Sequence, residues 1–149
     1  MKKIAALSVL FFACGIFNSP AARAVDIVPY MALTPGKWAI WQVAGSASRE
    51  GYVTKAGTNG QIVREWYDDN GSGWVFGSSE IFKVTSTSLR LLATYDGTDM
   101  WAYVPALRVP RSLDLNRPVL YKGVLRNQRT NATQSVTAVI LITGSELTA

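Results

Sequence analysis

Apolar residues come along this chain in short runs, rich in Val, Ile, Thr, Trp and Tyr, and the breaks between them hold Gly, Asn, Asp and Ser. Strands and turns produce that pattern, whereas a helix needs an apolar residue at every third or fourth position over a longer stretch. The runs predict strands at 37–43, 52–55, 61–67, 74–76, 81–85, 89–95, 101–104, 119–126 and 135–143. Between them lie Gly45-Ser46, Thr58-Asn59-Gly60, Asp68 to Gly73, Gly77-Ser78-Ser79, Thr85 to Ser88 and Asp96-Gly97. These are hairpin connections, because Asn-Gly and Asp-Gly accept the positive φ of tight turns. Strands joined in succession by short turns make an antiparallel meander.

Alternation picks out the faces. Leu89, Leu91, Ala93 and Tyr95 share one side of their strand, with Arg90, Leu92 and Thr94 on the other. In 37–43 both sides are apolar, Trp38 and Ile40 against Ala39, Trp41 and Val43, which predicts a strand covered on two sides. Trp38, Trp66 and Leu91 read as core. Residues 105–118 carry Pro105, Pro110 and Pro118, and proline donates nothing to a ladder, so this stretch is expected as a connector crossing the sheet edge. Residues 127–134 read as an exposed loop. The expected fold is all-β: one curved antiparallel sheet or open barrel, preceded by a signal peptide.

The signal is read from residues 1–24. Lys2 and Lys3 give a positive start, Ile4 to Phe17 form an uncharged run of 14, and Asn18-Ser19-Pro20 breaks it. Ala22-Arg23-Ala24 then offers small residues for cleavage before Val25. The run is too short for an ordinary transmembrane helix. Export to the periplasm or medium is expected, with residues 25–149 as a single β domain. The alternative treats Phe11-Phe12-Ala13-Cys14 as a lipobox, with Cys14 acylated and the protein anchored to a membrane only by that lipid.

Composition narrows the chemistry. There is no histidine, and Cys14, the single cysteine, lies in the signal. The expected mature domain therefore has no Ser-His-Asp triad, Cys-His pair or zinc site of the usual type, and no cofactor is expected. The chain's formal charge of +5 loses Lys2, Lys3 and Arg23 with the signal, leaving 12 basic against 10 acidic residues. The balance is uneven: from Met100 onward there are 6 basic and 2 acidic residues.

The segment Tyr30-Met31-Ala32-Leu33-Thr34-Pro35-Gly36-Lys37-Trp38 resembles the opening of a group of exported bacterial β-sheet proteins of unassigned function, which runs Tyr-x-Pro-Leu, a turn with Gly, then Trp. Tyr103-Val104-Pro105-Ala106-Leu107-Arg108-Val109-Pro110, with Leu113 and Leu120-Tyr121-Lys122-Gly123, resembles that group's second landmark. Here Ala32 stands where the group has Pro. Leu33-Thr34-Pro35-Gly36-Lys37-Trp38 is also similar to the opening of another group of small periplasmic β proteins, whose cysteines this chain lacks. The resemblance implies an envelope β domain and supplies no catalytic residue.

Three sets of residues invite a functional reading. Five tryptophans are many for a domain of this size, and Trp41, Trp74, Trp101 and Tyr103 form the expected ligand-facing set, with core packing as the competing use. Arg108, Arg111, Arg117, Lys122, Arg126 and Arg129 form the expected basic partner surface, with a solvated outer face as the alternative. Asp68-Asp69-Asn70-Gly71-Ser72-Gly73 matches the first half of a calcium loop, but the twelfth position is Ser79 and Glu80 falls one late, so a hairpin turn is expected and no metal. The function expected is a non-enzymatic binding or interaction module of the bacterial envelope, its partner a glycan, lipid or protein and not a nucleic acid. The alternative is a glycan hydrolase using two carboxylates among Glu65, Asp68, Asp69, Asp96 and Asp99.

Overall fold

The structure, a computed structural model, describes residues 24–28, 31–42, 45, 47–114 and 117–141. Residues 1–23 of the expected signal, Cys14 among them, lie outside the described residues, and its last residue, Ala24, is the first of β1. Ten strands follow in chain order: β1 (Ala24–Asp26), β2 (Trp38–Gln42), β3 (Arg49–Ala56), β4 (Gln61–Asp69), β5 (Trp74–Val84), β6 (Ser88–Tyr95), β7 (Met100–Pro110), β8 (Ser112–Asp114), β9 (Val119–Asn127) and β10 (Thr133–Ile140). Eight of them build one antiparallel sheet in the order β10-β9-β7-β6-β5-β4-β3-β2, in which β2 and β10 are the two edges and do not pair, so the sheet is not a closed barrel. The remaining two, β1 and β8, form a separate two-stranded ribbon with Val25 opposite Leu113. The expected all-β meander is the observed fold.

One face of the sheet carries the core. Phe82, Leu89, Leu91, Leu107, Val109, Tyr103, Tyr121 and Ile140 are buried there, and the N-terminal segment lays Ile27, Met31 and Leu33 over them, with Leu113 from β8. Burying apolar surface against water drives this docking. Polar contacts fix its position. Thr54 Oγ1 donates to the Ala32 carbonyl (3.1 Å), the Gly36 N–H donates to the Thr54 carbonyl (2.7 Å), and Arg64 Nη1 donates to the Met31 carbonyl (3.2 Å). Arg111 closes the ribbon with an ion pair to Asp26 at 2.8 Å. Ala32 has φ 48°, a value closed to proline, whose ring locks φ near −65°.

Four local expectations are corrected. Residues 74–84 form one strand, because Gly77 is accommodated as a bulge between the rungs Trp66↔Ser78 and Tyr67↔Phe76 instead of turning the chain. Residues 105–110 continue β7: Leu107, Arg108 and Val109 pair with Leu91, Arg90 and Leu89. Pro105 is tolerated because it sits where the β6–β7 ladder is interrupted, between Ala102↔Ala93 and Leu107↔Leu91, so its missing N–H removes no rung. Strand β2 is not covered on two sides; it is an edge strand whose Trp38 is 67% exposed, not core. The 127–134 loop is a tight turn with β10 beginning at Thr133, and Asn127 is buried, its Oδ1 accepting from the N–H groups of Arg129 (2.8 Å) and Thr130 (2.9 Å).

Candidate functional site

Uninterrupted rungs define the faces. Thr54, Arg64, Glu80, Thr94, Trp101 and Asn127 lie in one row across β3, β4, β5, β6, β7 and β9, on the core side. In this row Arg64 and Glu80 make a buried ion pair, with Glu80 Oε2 accepting from Arg64 Nε (2.9 Å), Arg64 Nη2 (2.7 Å) and Trp66 Nε1 (2.9 Å). The Arg64 guanidinium also lies over the rings of Trp66, Phe82 and Tyr52. Next to it Trp66 meets Trp41 and Tyr52 edge to face (5.9 and 5.5 Å between centroids), and Trp41 and Tyr52 are tilted against each other at 6.3 Å. The inner face thus joins an apolar core to a polar row and an aromatic end, and the ion pair ties both to the N-terminal cover.

The four residues expected to face a ligand together are not brought together. Trp41 is on the inner face against Tyr52 and Trp66, while Trp74 is on the outer face. Trp101 stands in the inner polar row and donates Nε1–H to Asp96 Oδ2 at 3.0 Å. Tyr103 is corrected outright: it is 8% exposed, in the core against Tyr121, and burial, followed by the charge of Glu80 and by Tyr121, pushes its phenol up to about 12. Sequence parity correctly set Trp41 opposite Trp38 and Ile40, but the Gly77 bulge decides where Trp74 points, and nothing in the letters announces that shift.

What gathers on the outer face is a different aromatic set. Trp74 is 41% exposed and Phe76 40%; Phe76 stacks on Tyr95 (5.8 Å, 26°) and meets the edge of Tyr67 (5.7 Å, 76°). Gly51 lies between Ile40 and Trp74. A Cβ there would stand 2.9 Å from the Ala39 carbonyl, 3.2 Å from Ile40 Cγ1 and 3.4 Å from Trp74 Cζ3, so the absent side chain is what lets these two side chains close over β3. Arg49 covers Trp74 at 5.4 Å from the ring centroid and is paired with Asp69. At the other margin Glu65 accepts from Lys55 Nζ (2.5 Å) and Tyr67 Oη (2.6 Å). The result is a field of exposed rings across β2 to β6 bordered by neutralised ion pairs.

The carboxylates named for hydrolysis serve as fasteners. Asp69 Oδ1 accepts from the N–H groups of Gly71 (2.9 Å) and Gly73 (3.2 Å) and closes the turn that resembled half a calcium loop; those bonds, then Arg49, hold its carboxyl low. Asp96 is lowered by the backbone of Asp99, then of Thr98, and by Trp101; Asp99 is lowered by Arg129, whose Nε lies 2.7 Å from Oδ1. Burial works to raise Glu65, but Lys55 and Tyr67 together outweigh it and hold it low. A general acid needs the opposite displacement. Asp68 is exposed on the inner-facing parity of β4, apart from Asp69.

The expected basic surface also divides. Arg111, Arg117 and Arg129 are taken up by Asp26, Asp114 and Asp99, whereas Arg108, Lys122 and Arg126 point outward from β7 and β9 without a carboxylate partner among the described residues. Comparison of the chain with protein-family models, with curated proteins and with solved structures gives no match.

Proposed function

We propose that the chain is a non-enzymatic, exported binding module of the bacterial envelope, and that it holds a glycan on the outer aromatic field formed by Trp74, Phe76, Tyr67, Tyr95 and Ile40. The single observation that carries this reading is the exposure of Trp74 and Phe76 beside stacked neighbours on the sheet face that the core does not use. Large aromatics left in water cost hydrophobic free energy unless something covers them, and flat rings bordered by hydrogen-bonding groups suit the two surfaces of a sugar, its C–H face and its hydroxyls. The rim of Arg49 with Asp69 and of Lys55 with Glu65 and Tyr67 offers those polar groups with their charges already balanced. The lowered carboxylates favour binding over glycan hydrolysis. Export is supported by the charge, apolar run and Ala-x-Ala ending of residues 1–24, and the intact mass of protein recovered outside the cytoplasm tests it.

The binding test compares Trp74→Ala and Phe76→Ala with Trp66→Ala on immobilised cell-wall polysaccharide. Loss of retention by at least tenfold in the first two, with unfolding midpoints close to that of the parent, is expected, while Trp66→Ala lowers the midpoint sharply. If Trp74→Ala and Phe76→Ala instead destabilise by the roughly 3–5 kcal/mol of a core aromatic and retention is unchanged, the reading fails.

A further inference from the structure

We infer that the other half of the outer face is a docking surface for an anionic phospholipid bilayer. The inference stands apart from the glycan reading, because its central row, Lys83, Arg90 and Arg108, lies at the far end of β5, roughly 30 Å from Trp74 at 3.3 Å per residue. Lys83 on β5, Arg90 on β6 and Arg108 on β7 are consecutive rungs of the ladder, Lys83↔Arg90 and Arg90↔Arg108, and all three are exposed. Each lies between residues turned to the core, Phe82 and Val84, Leu89 and Leu91, Leu107 and Val109, so all three point outward. Three cations directly opposite one another, about 4.8 Å apart from strand to strand, repel and weaken the sheet. No carboxylate among the described residues is paired with them. Among the described residues, the only acid in β5, β6, β7, β9 and β10 is Glu80, and it is buried on the inner face with Arg64.

Lys122 and Arg126 extend the same sign along β9, where they too face outward, their neighbours Tyr121 and Asn127 being buried. What separates a bilayer from a soluble polyanion is the company these cations keep. Leu120 and Val139 are rung partners on the outer face of β9 and β10, each 58% exposed, and Val104 on β7 is exposed on the same face, four residues along the strands, opposite Val124. A polyanion in water needs only the charges. A bilayer surface takes both, phosphates for the Lys and Arg and the acyl boundary for Leu and Val.

The test is co-sedimentation of the full chain with vesicles of phosphatidylcholine alone and of phosphatidylcholine containing phosphatidylglycerol. Residues 1–24 are common to every variant, so differences between variants report the face. Binding to the anionic vesicles is expected to fall about fivefold for each of Arg90→Gln and Arg108→Gln, the worth of one surface charge, and to fall further for Leu120→Ser with Val139→Ser. Circular dichroism establishes that each variant is folded, and the salt dependence of the parent protein gives a second reading that needs no variant. Equal binding to both vesicle types, or anionic binding unmoved by salt and by the Arg variants, overturns the proposal. So does a result in which Leu120→Ser with Val139→Ser has no effect and the Arg variants lose affinity for inorganic polyphosphate, since the partner is then a soluble polyanion.

Discussion

Arg64 is the residue on which most of the inner face converges. Its guanidinium bonds Glu80 twice, reaches the Met31 carbonyl and covers three rings, so its removal leaves Glu80 charged, buried and short of its main partner. Arg64→Met is expected to cost about 3–5 kcal/mol in chemical denaturation, and Arg64→Met with Glu80→Leu to recover most of that loss, because an apolar pair no longer strands a charge. Tyr103 gives a pH-dependent counterpart. Its phenol is raised from 10.0 to about 12, so the folded state holds the proton more tightly than the unfolded chain does. The stability tied to it is complete below pH 10 and is lost as pH climbs through about 12. An alkaline titration followed by phenolate absorbance should therefore show Tyr103 ionising only as unfolding sets in.

At the scale of elements, packing across one missing side chain controls the junction of β2, β3 and β5. Gly51→Ala forces a methyl toward the Ala39 carbonyl, which is backbone and cannot swing aside, and should destabilise the protein by about 1–3 kcal/mol while disturbing Trp74 fluorescence. Much of this level was legible in the sequence. Turn residues located the hairpins at Asp68 to Gly73 and at Asp96-Gly97, and alternation separated Leu91 and Tyr121 from Arg90 and Lys122, but the expected common face of Leu89, Leu91, Ala93 and Tyr95 is corrected: the register shift at Leu92 turns Ala93 and Tyr95 to the outer face. The unreadable part is register. Ser78 follows Gly77 as it would in a turn, and only pairing with β4 turns the segment into a bulged strand. Likewise Pro105 ends a strand by local rule, yet its place in a ladder gap depends on β6, more than ten residues earlier. The aromatic field was missed for the same reason: Tyr67, Phe76 and Tyr95 meet only once two registers are set.

At the scale of the molecule, the eight-stranded sheet presents two unlike faces. Its inner face is closed by the N-terminal segment and β8, and its outer face keeps rings at one end and unpaired cations at the other. The β1–β8 ribbon sets a schedule for this arrangement. Ile27, Met31 and Leu33 belong to a core that also contains Val109 and Leu113, so a chain made from its N-terminus completes their cover only after some 80 further residues of synthesis. At 5–20 residues per second that interval is roughly 4–16 s. Trypsin should cut after Arg64 in nascent chains arrested before Leu113 emerges and spare it in longer ones. During those seconds the apolar start of the domain is a handle for any holding factor, and the fold's last act is to take that handle back.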